Sequence, residues 1–355
     1  MREAVRWNEY RVQNFRLASG EVLPEATTAY ATLGELNGTK SNAVLILHGY
    51  TTGPSMLLPG SNAAEGSWSG LIGAGKAIDT DRHFVICPNM LGSSYGSTGP
   101  RSLNPATGRR YGIDFPRVSL SDVVDLQALL LDSLGIRQLA AVAGPSLGAM
   151  QAFTWATRYP ERVARVVAAV GAPYRPPWVV STRDALAALE RDPAWRNGHY
   201  EPDALQPTLT RMRVATLERY GIDAELAPRF ADPTQRRREI ERLAAEWARE
   251  FDPGSLVTLA QTVENFDVRG DLVRMRAPLL YVLSHSDETF PPILARELAP
   301  LYEAARLRWS YLELASDKGH LASGADWQLW AEALEGFMNT PPAIWRPAGF
   351  AERWS

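Results

Sequence analysis

The chain has 355 residues, 45% of them hydrophobic and 22% charged, a balance that suits a globular protein with a sizeable core and not a disordered segment. Its formal net charge of −3 provides no global positive field for nucleic acid or anionic membranes. The single cysteine, Cys87, excludes an internal disulfide framework and a multi-cysteine metal site, and no apolar run reaches the roughly 18 residues of a membrane span.

The opening stretch MREAVRWNEYRVQNF lacks the apolar core of a secretory signal, so a cytoplasmic location is expected. Residues 14–36 alternate apolar and polar side chains around a Ser-Gly turn, which predicts an antiparallel hairpin at a sheet edge. Short runs rich in Val, Ile and Leu then recur at 43–49, 83–89, 139–145, 163–171, 277–287 and 307–314. Runs apolar on both faces are what a central parallel sheet covered by helices requires. Cys87 falls inside the second run and reads as a packed thiol.

Helical stretches separate these runs, such as 119–135, which has serines at its start and a glycine at its end. Strand and helix alternate, so the fold class is α/β, with a doubly wound and mostly parallel sheet. Between 174 and 268 the strand pattern stops. Charged, helix-favouring sequence replaces it, including 234–251, where Ile240, Leu243, Ala244, Trp247 and Phe251 recur at helical spacing. This predicts a helical cap over 174–268, inserted in a core made of 1–173 and 269–355.

The chemistry-bearing motif is Gly144-Pro145-Ser146-Leu147-Gly148, which closes an apolar strand and opens a helix. G-x-S-x-G in that setting is a nucleophile elbow, where a sharp turn presents the serine and leaves no room for side chains two residues to either side. A serine hydroxyl needs a base, and the base an orienting acid. On such a sheet these follow in the order Ser, acid, His. His320, in ASDKGHLASG after the last apolar run, is the histidine in the right place, and Asp287 ends the preceding run. His285 competes as base and Asp317 as acid. The Leu147 N–H follows the nucleophile, and the loop after the first apolar run supplies a second oxyanion donor, Tyr50 N–H first and Thr51 next. His48 reads as a structural histidine at a strand end. No H-E-x-x-H or phosphate-binding loop is present, so neither a metal nor a bound cofactor is expected.

These residues resemble the homoserine O-acetyltransferases of the α/β-hydrolase superfamily. The likeness runs through 68–136, the GPSLGAMQAFTWATRYPERV stretch around Ser146, the SHSDETFPP loop around Asp287 and the SDKGH loop around His320. It implies an α/β-hydrolase fold, a triad of Ser146, Asp287 and His320, acyl transfer through an acyl-enzyme with acetyl-CoA as co-substrate, and a homodimer formed through cap helices.

Departures from the family bear on the acyl acceptor. The family's cap arginine, in a pattern like L-A-R-M, holds the homoserine carboxylate, and LTRM places Arg211 there. Its following tyrosine corresponds to Glu218, and the aspartate after its histidine, which helps hold the substrate amino group, corresponds to Leu321. Losing such a charge-assisted bond costs about 1.5 to 3 kcal/mol, or tenfold to a hundredfold in affinity. The expected activity is therefore a serine carboxylic-ester hydrolase for short, acetyl-type esters, with a small-molecule ester as partner. The alternative is an acyl-CoA-dependent O-acetyltransferase acting on homoserine or another hydroxyl acceptor. A ligand receptor without chemistry is a third reading, against which an intact triad argues.

Overall fold

The structure is a computed structural model, and it describes residues 4–60, 66–179 and 181–345. The outermost parts of the expected core, 1–3 and 346–355, lie outside the described residues.

The alternating opening segment forms β1 (Arg6–Arg16) and β2 (Val22–Leu33), an antiparallel pair in which Tyr10 faces Thr28. The Leu17 amide closes the turn on the Glu21 carbonyl at 2.8 Å. Next come β3 (Ala43–Ile46), a small separate pair β4 (Ile72–Gly73) and β5 (Ile78–Asp79), then β6 (Phe84–Pro88), β7 (Ala141–Pro145) and β8 (Val166–Ala169). Strands β9 (Leu279–Ser284) and β10 (Trp309–Leu314) complete the set. The main sheet has eight strands in the order β1-β2-β6-β3-β7-β8-β9-β10. Only β1–β2 and β2–β6 are antiparallel. Each of the six apolar runs thus contains a strand, and the predicted edge hairpin caps one side of the sheet.

Alternate residues of each strand feed two cores. Leu45, Ile86 and Val142 pack on one face with Val124, Phe153 and Leu298, whereas Val44, Val85 and Ala143 pack on the other with Trp330, Leu334 and Phe337. The first face is covered by α1 (Leu120–Ser133) and α2 (Leu147–Arg158), and the start of α1 is fixed by a capping box between Ser119 and Asp122. Cys87 is fully buried, and burial pushes its thiol pKa up, which keeps it an unreactive packing group.

Between β8 and β9 the chain leaves the sheet for α3 (Thr182–Glu190), α4 (Gln206–Arg219), α5 (Ile222–Leu226), α6 (Pro233–Glu250) and α7 (Pro253–Val263). Its exit and return are bridged, Tyr174 against Asp267, with Arg175 N–H on the Phe266 carbonyl and Val268 N–H on the Pro173 carbonyl, both at 2.9 Å. An apolar cluster of Val214, Leu217, Ile222, Leu226, Ile240 and Ala244, which Leu321 joins from the sheet-bound core, holds α4, α5 and α6 together. Among the described residues the other α-helices are α8 (Ile293–Ala304), α9 (Ala322–Ala325) and α10 (Ala331–Asn339). Among the described residues no helix is long and apolar enough to cross a membrane.

Candidate active site

β7 ends at Pro145 and α2 begins at Leu147, so a single residue makes the turn. Ser146 makes it at φ 56° and ψ −121°, a backbone conformation that L-residues rarely adopt and that stores strain. The surroundings hold it there. Its amide donates to the Ala169 carbonyl at 2.9 Å, and its own carbonyl accepts from Ala149 at 2.9 Å and Met150 at 3.2 Å. The flanking glycines have a specific cause: a Cβ on either Gly144 or Gly148 would run into the Leu47 carbonyl at the end of β3. Gly148→Ala is therefore expected to cost about 1 to 3 kcal/mol by overpacking against backbone. Urea unfolding would test this, and an unchanged midpoint would show that β3 can move away.

Asp287 and His320 leave neighbouring parallel strands, β9 and β10, and meet at the carboxyl edge that Ser146 shares at the end of β7. His320 Nδ1 donates to Asp287 Oδ2 at 2.8 Å, and both side chains are buried. Asp287 Oδ1 accepts from the Thr289 and Phe290 amides at 2.7 and 3.1 Å, so the carboxylate is held as an acceptor on both oxygens. With Nδ1 committed to Asp287, the imidazole presents Nε2 as its basic nitrogen. The competitors lie elsewhere. His285 is 73% exposed with Nδ1 3.3 Å from Glu313, and Asp317 is exposed.

A residue the sequence did not flag joins the two loops. Ser286 Oγ donates to the Ser316 carbonyl at 2.7 Å and accepts from the Gly319 amide at 3.0 Å. It links the residue before the acid to the residue before the histidine. The His320 ring is flanked by Tyr220 at 4.4 Å and Phe290 at 5.7 Å between centroids, and these rings fix its plane.

The loop after β3 runs beside the elbow, as the closeness of Leu47 and His48 to Gly148 requires. Leu147 occupies the first position of α2, where amides have no acceptor within the helix and the dipole end is positive. The Tyr50 phenol donates to the Leu256 carbonyl at 2.5 Å, anchoring this loop to α7. Thr51 is fixed from the helical segment: its hydroxyl accepts from Arg213 Nη1 at 2.6 Å and its carbonyl from Trp247 Nε1 at 2.9 Å.

His48 is fully buried beneath this loop, with Nε2 accepting the Met90 amide at 3.1 Å and Nδ1 2.9 Å from the Gly49 carbonyl. An acceptor at Nε2 requires the proton on Nδ1, so the ring is neutral and ties β6 to the loop. Burial lowers its pKa to about 4, against the partial opposition of hydrogen bonds to Gly49 and Asn89. Between the unfolded value of about 6.5 and this one, the unfolded chain binds a proton that the native state refuses, so stability falls as pH drops. The loss is about 3 kcal/mol across that window. His48→Asn should flatten this part of the stability curve in urea titrations at pH 7 and 4.5. Parallel curves for the two proteins would show that His48 does not carry the effect.

The structure places the expected substrate-binding residues as follows. Arg211 is exposed and donates to Thr208 at 2.6 Å, and Glu218 on the same outer face pairs with Arg237 of α6. The inward pair lies two residues on, at Arg213 and Tyr220, with the same seven-residue separation. Arg213 is 1% exposed, its guanidinium stacked 4.8 Å from the centre of the Trp247 ring. Leu321, expected as a substrate contact, is 4% exposed and packs into the apolar cluster of α4, α5 and α6 with Leu217 and Ile222.

The comparisons with known proteins agree with this architecture. The alpha/beta hydrolase fold family matches residues 42–324. A homoserine O-acetyltransferase from Geobacter metallireducens is 33% identical over 350 residues, covering 91% of this chain and 94% of that protein. The solved structure of esterase E22 superposes with a TM-score of 0.83 at 25% identity, covering 95% of this chain and all of that one. The homoserine O-acetyltransferase from Bacillus anthracis superposes with a TM-score of 0.81 at 27% identity, covering 95% and 98%. Both an esterase and a transferase are thus built on this architecture, and the chain belongs to the α/β-hydrolase family, within its homoserine O-acetyltransferase-like group.

Proposed function

We propose that this protein is a serine carboxylic-ester hydrolase for short acyl esters, acetates in particular. Ser146 Oγ attacks the ester carbonyl while His320 Nε2 takes its proton, and Asp287 holds the imidazole and balances the imidazolium. The Leu147 and Tyr50 amides stabilise the oxyanion. The alcohol leaves with the proton from His320, giving an acyl-enzyme. Water, deprotonated by the same histidine, then releases the acid and restores Ser146.

The observation that carries the choice of water as acceptor is Leu321. The residue directly after His320 is an alkyl side chain packed in an apolar cluster, and it cannot pair with a substrate ammonium. Glu218 carries no weight here, because it lies on the outer face of α4. A second reading, acyl-CoA-dependent O-acetyl transfer, is supported by the inward arginine Arg213, a group suited to a carboxylate, and by the transferase names of the curated relatives.

The test supplies p-nitrophenyl acetate, then acetyl-CoA with homoserine, to the wild type and to Ser146→Ala. Serine-dependent ester turnover without acetyl-homoserine is the expected result. Efficient homoserine acetylation at low acceptor concentration overturns it in favour of transfer.

A further inference from the structure

Lys318 lies two residues before His320 and takes no part in the chemistry described above. Its side chain is 19% exposed, and Nζ sits 2.8 Å from Glu225 of α5 and 2.6 Å from Asp326 at the end of α9. Glu225 belongs to the helical segment and Asp326 to the sheet-bound core, so one ammonium bridges the two. Burial opposes the charge, but the two carboxylates outweigh it and raise the lysine pKa, so the bridge is charged at neutral pH. Asp326 also accepts from Ser316 Oγ at 2.6 Å, and that hydroxyl accepts the Lys318 amide at 3.1 Å.

The backbones around this bridge are pressed together. Gly221, at φ +94°, has no Cβ, and one placed there would lie 2.6 Å from the Lys318 carbonyl. Gly319, at φ +53°, stands in the same relation to the Tyr220 carbonyl at 2.9 Å. The Leu321 amide donates to that carbonyl at 3.3 Å. Two glycines with left-handed backbones thus let the α4–α5 turn and the histidine loop meet main chain to main chain, while Leu321 enters the apolar cluster beyond them.

We propose that Lys318 is a positioning residue that fixes the His320 loop to α5 through Glu225, so that the seating of the helical segment sets the position of the imidazole. The proposal rests on the reading of Ser146, His320 and Asp287 as the reacting triad. A salt bridge this far from the bond being broken acts through geometry, and small displacements of a catalytic base are costly in rate.

The experiment uses the full chain with Lys318→Met, Glu225→Gln, both together, and Lys318→Arg. It reads kcat and KM for p-nitrophenyl acetate, the rate of Ser146 labelling by a fluorophosphonate, and Tm. Each single loss should lower kcat and labelling by about tenfold with KM within about twofold. The double variant should be no slower than the slower single one, and Lys318→Arg should restore most of the rate. A lower Tm with unchanged kcat and labelling, or losses that multiply in the double variant, overturns the proposal while leaving the triad intact. Absence of labelling in the wild type, or equal labelling of Ser146→Ala, overturns the triad reading and this proposal together.

Discussion

Ser146→Ala is expected to lower kcat for acetate-ester hydrolysis by about 10⁴-fold or more, because the proposed mechanism forms its acyl-enzyme on this hydroxyl. The residual rate is what the oxyanion donors and binding supply without a nucleophile. Stability should respond differently, and in a way that separates nucleophile from scaffold. The serine is held at φ 56° and ψ −121°, between a buried strand and a buried helix. Such a conformation costs a non-glycine residue about 1 to 3 kcal/mol, and alanine inherits the cost. Ser146→Gly relieves it, at an expense of about 0.5 to 1 kcal/mol in unfolded-chain entropy, so a net gain of about 1 kcal/mol is expected. Both variants lose activity, but only glycine should raise the unfolding midpoint in urea. If Ser146→Ala keeps hydrolysis within tenfold of wild type, the nucleophile lies elsewhere. If Ser146→Gly is no more stable than wild type, the strain is not stored at the serine.

Strand positions were legible because a parallel sheet buried on both faces demands runs without exposed polar residues, and in β3, β6 and β7 every residue is buried. The Asp287–His320 pairing was legible for a topological reason: parallel strands put all their carboxyl ends on one edge, so a polar loop after β9 and another after β10 must meet there. The face of α4 was not. Arg211 with Glu218 and Arg213 with Tyr220 have identical spacing, so spacing alone could not choose between them. At about 100° per residue, Arg213 shares a stripe with Leu209 and Leu217 while Arg211 falls on the far side. The buried leucines were thus the available signal, and they outweigh a tetrapeptide likeness. The Lys318–Glu225 and Ser286–Ser316 contacts had no signal at all, since each joins residues far apart in the chain whose types are ordinary surface residues.

Leu321→Asp is the change with the most to say about the acyl acceptor. In the wild type this side chain is 4% exposed among Val214, Leu217, Ile222 and Leu226, so an aspartate there gives up apolar packing and buries a carboxylate without a cation. The expected loss is about 3 to 5 kcal/mol, the usual penalty for an uncompensated buried charge. A ligand that brings an ammonium to that carboxylate offsets the penalty. Homoserine should therefore raise the Tm of Leu321→Asp and leave that of the wild type unmoved, by the linkage between binding and folding. With acetyl-CoA as donor, the ratio of acetyl-homoserine to free acetate should rise about tenfold to a hundredfold over wild type, the worth of one charge-assisted hydrogen bond. Leu321→Asn, similar in shape but uncharged, should lose stability and gain no transfer. If Leu321→Asp is as stable as wild type, the leucine does not belong to the apolar cluster that seats α4 and α5. If it is unstable yet gains no transfer over Leu321→Asn, the acceptor is selected at another position, and the inward Arg213 becomes the group to vary.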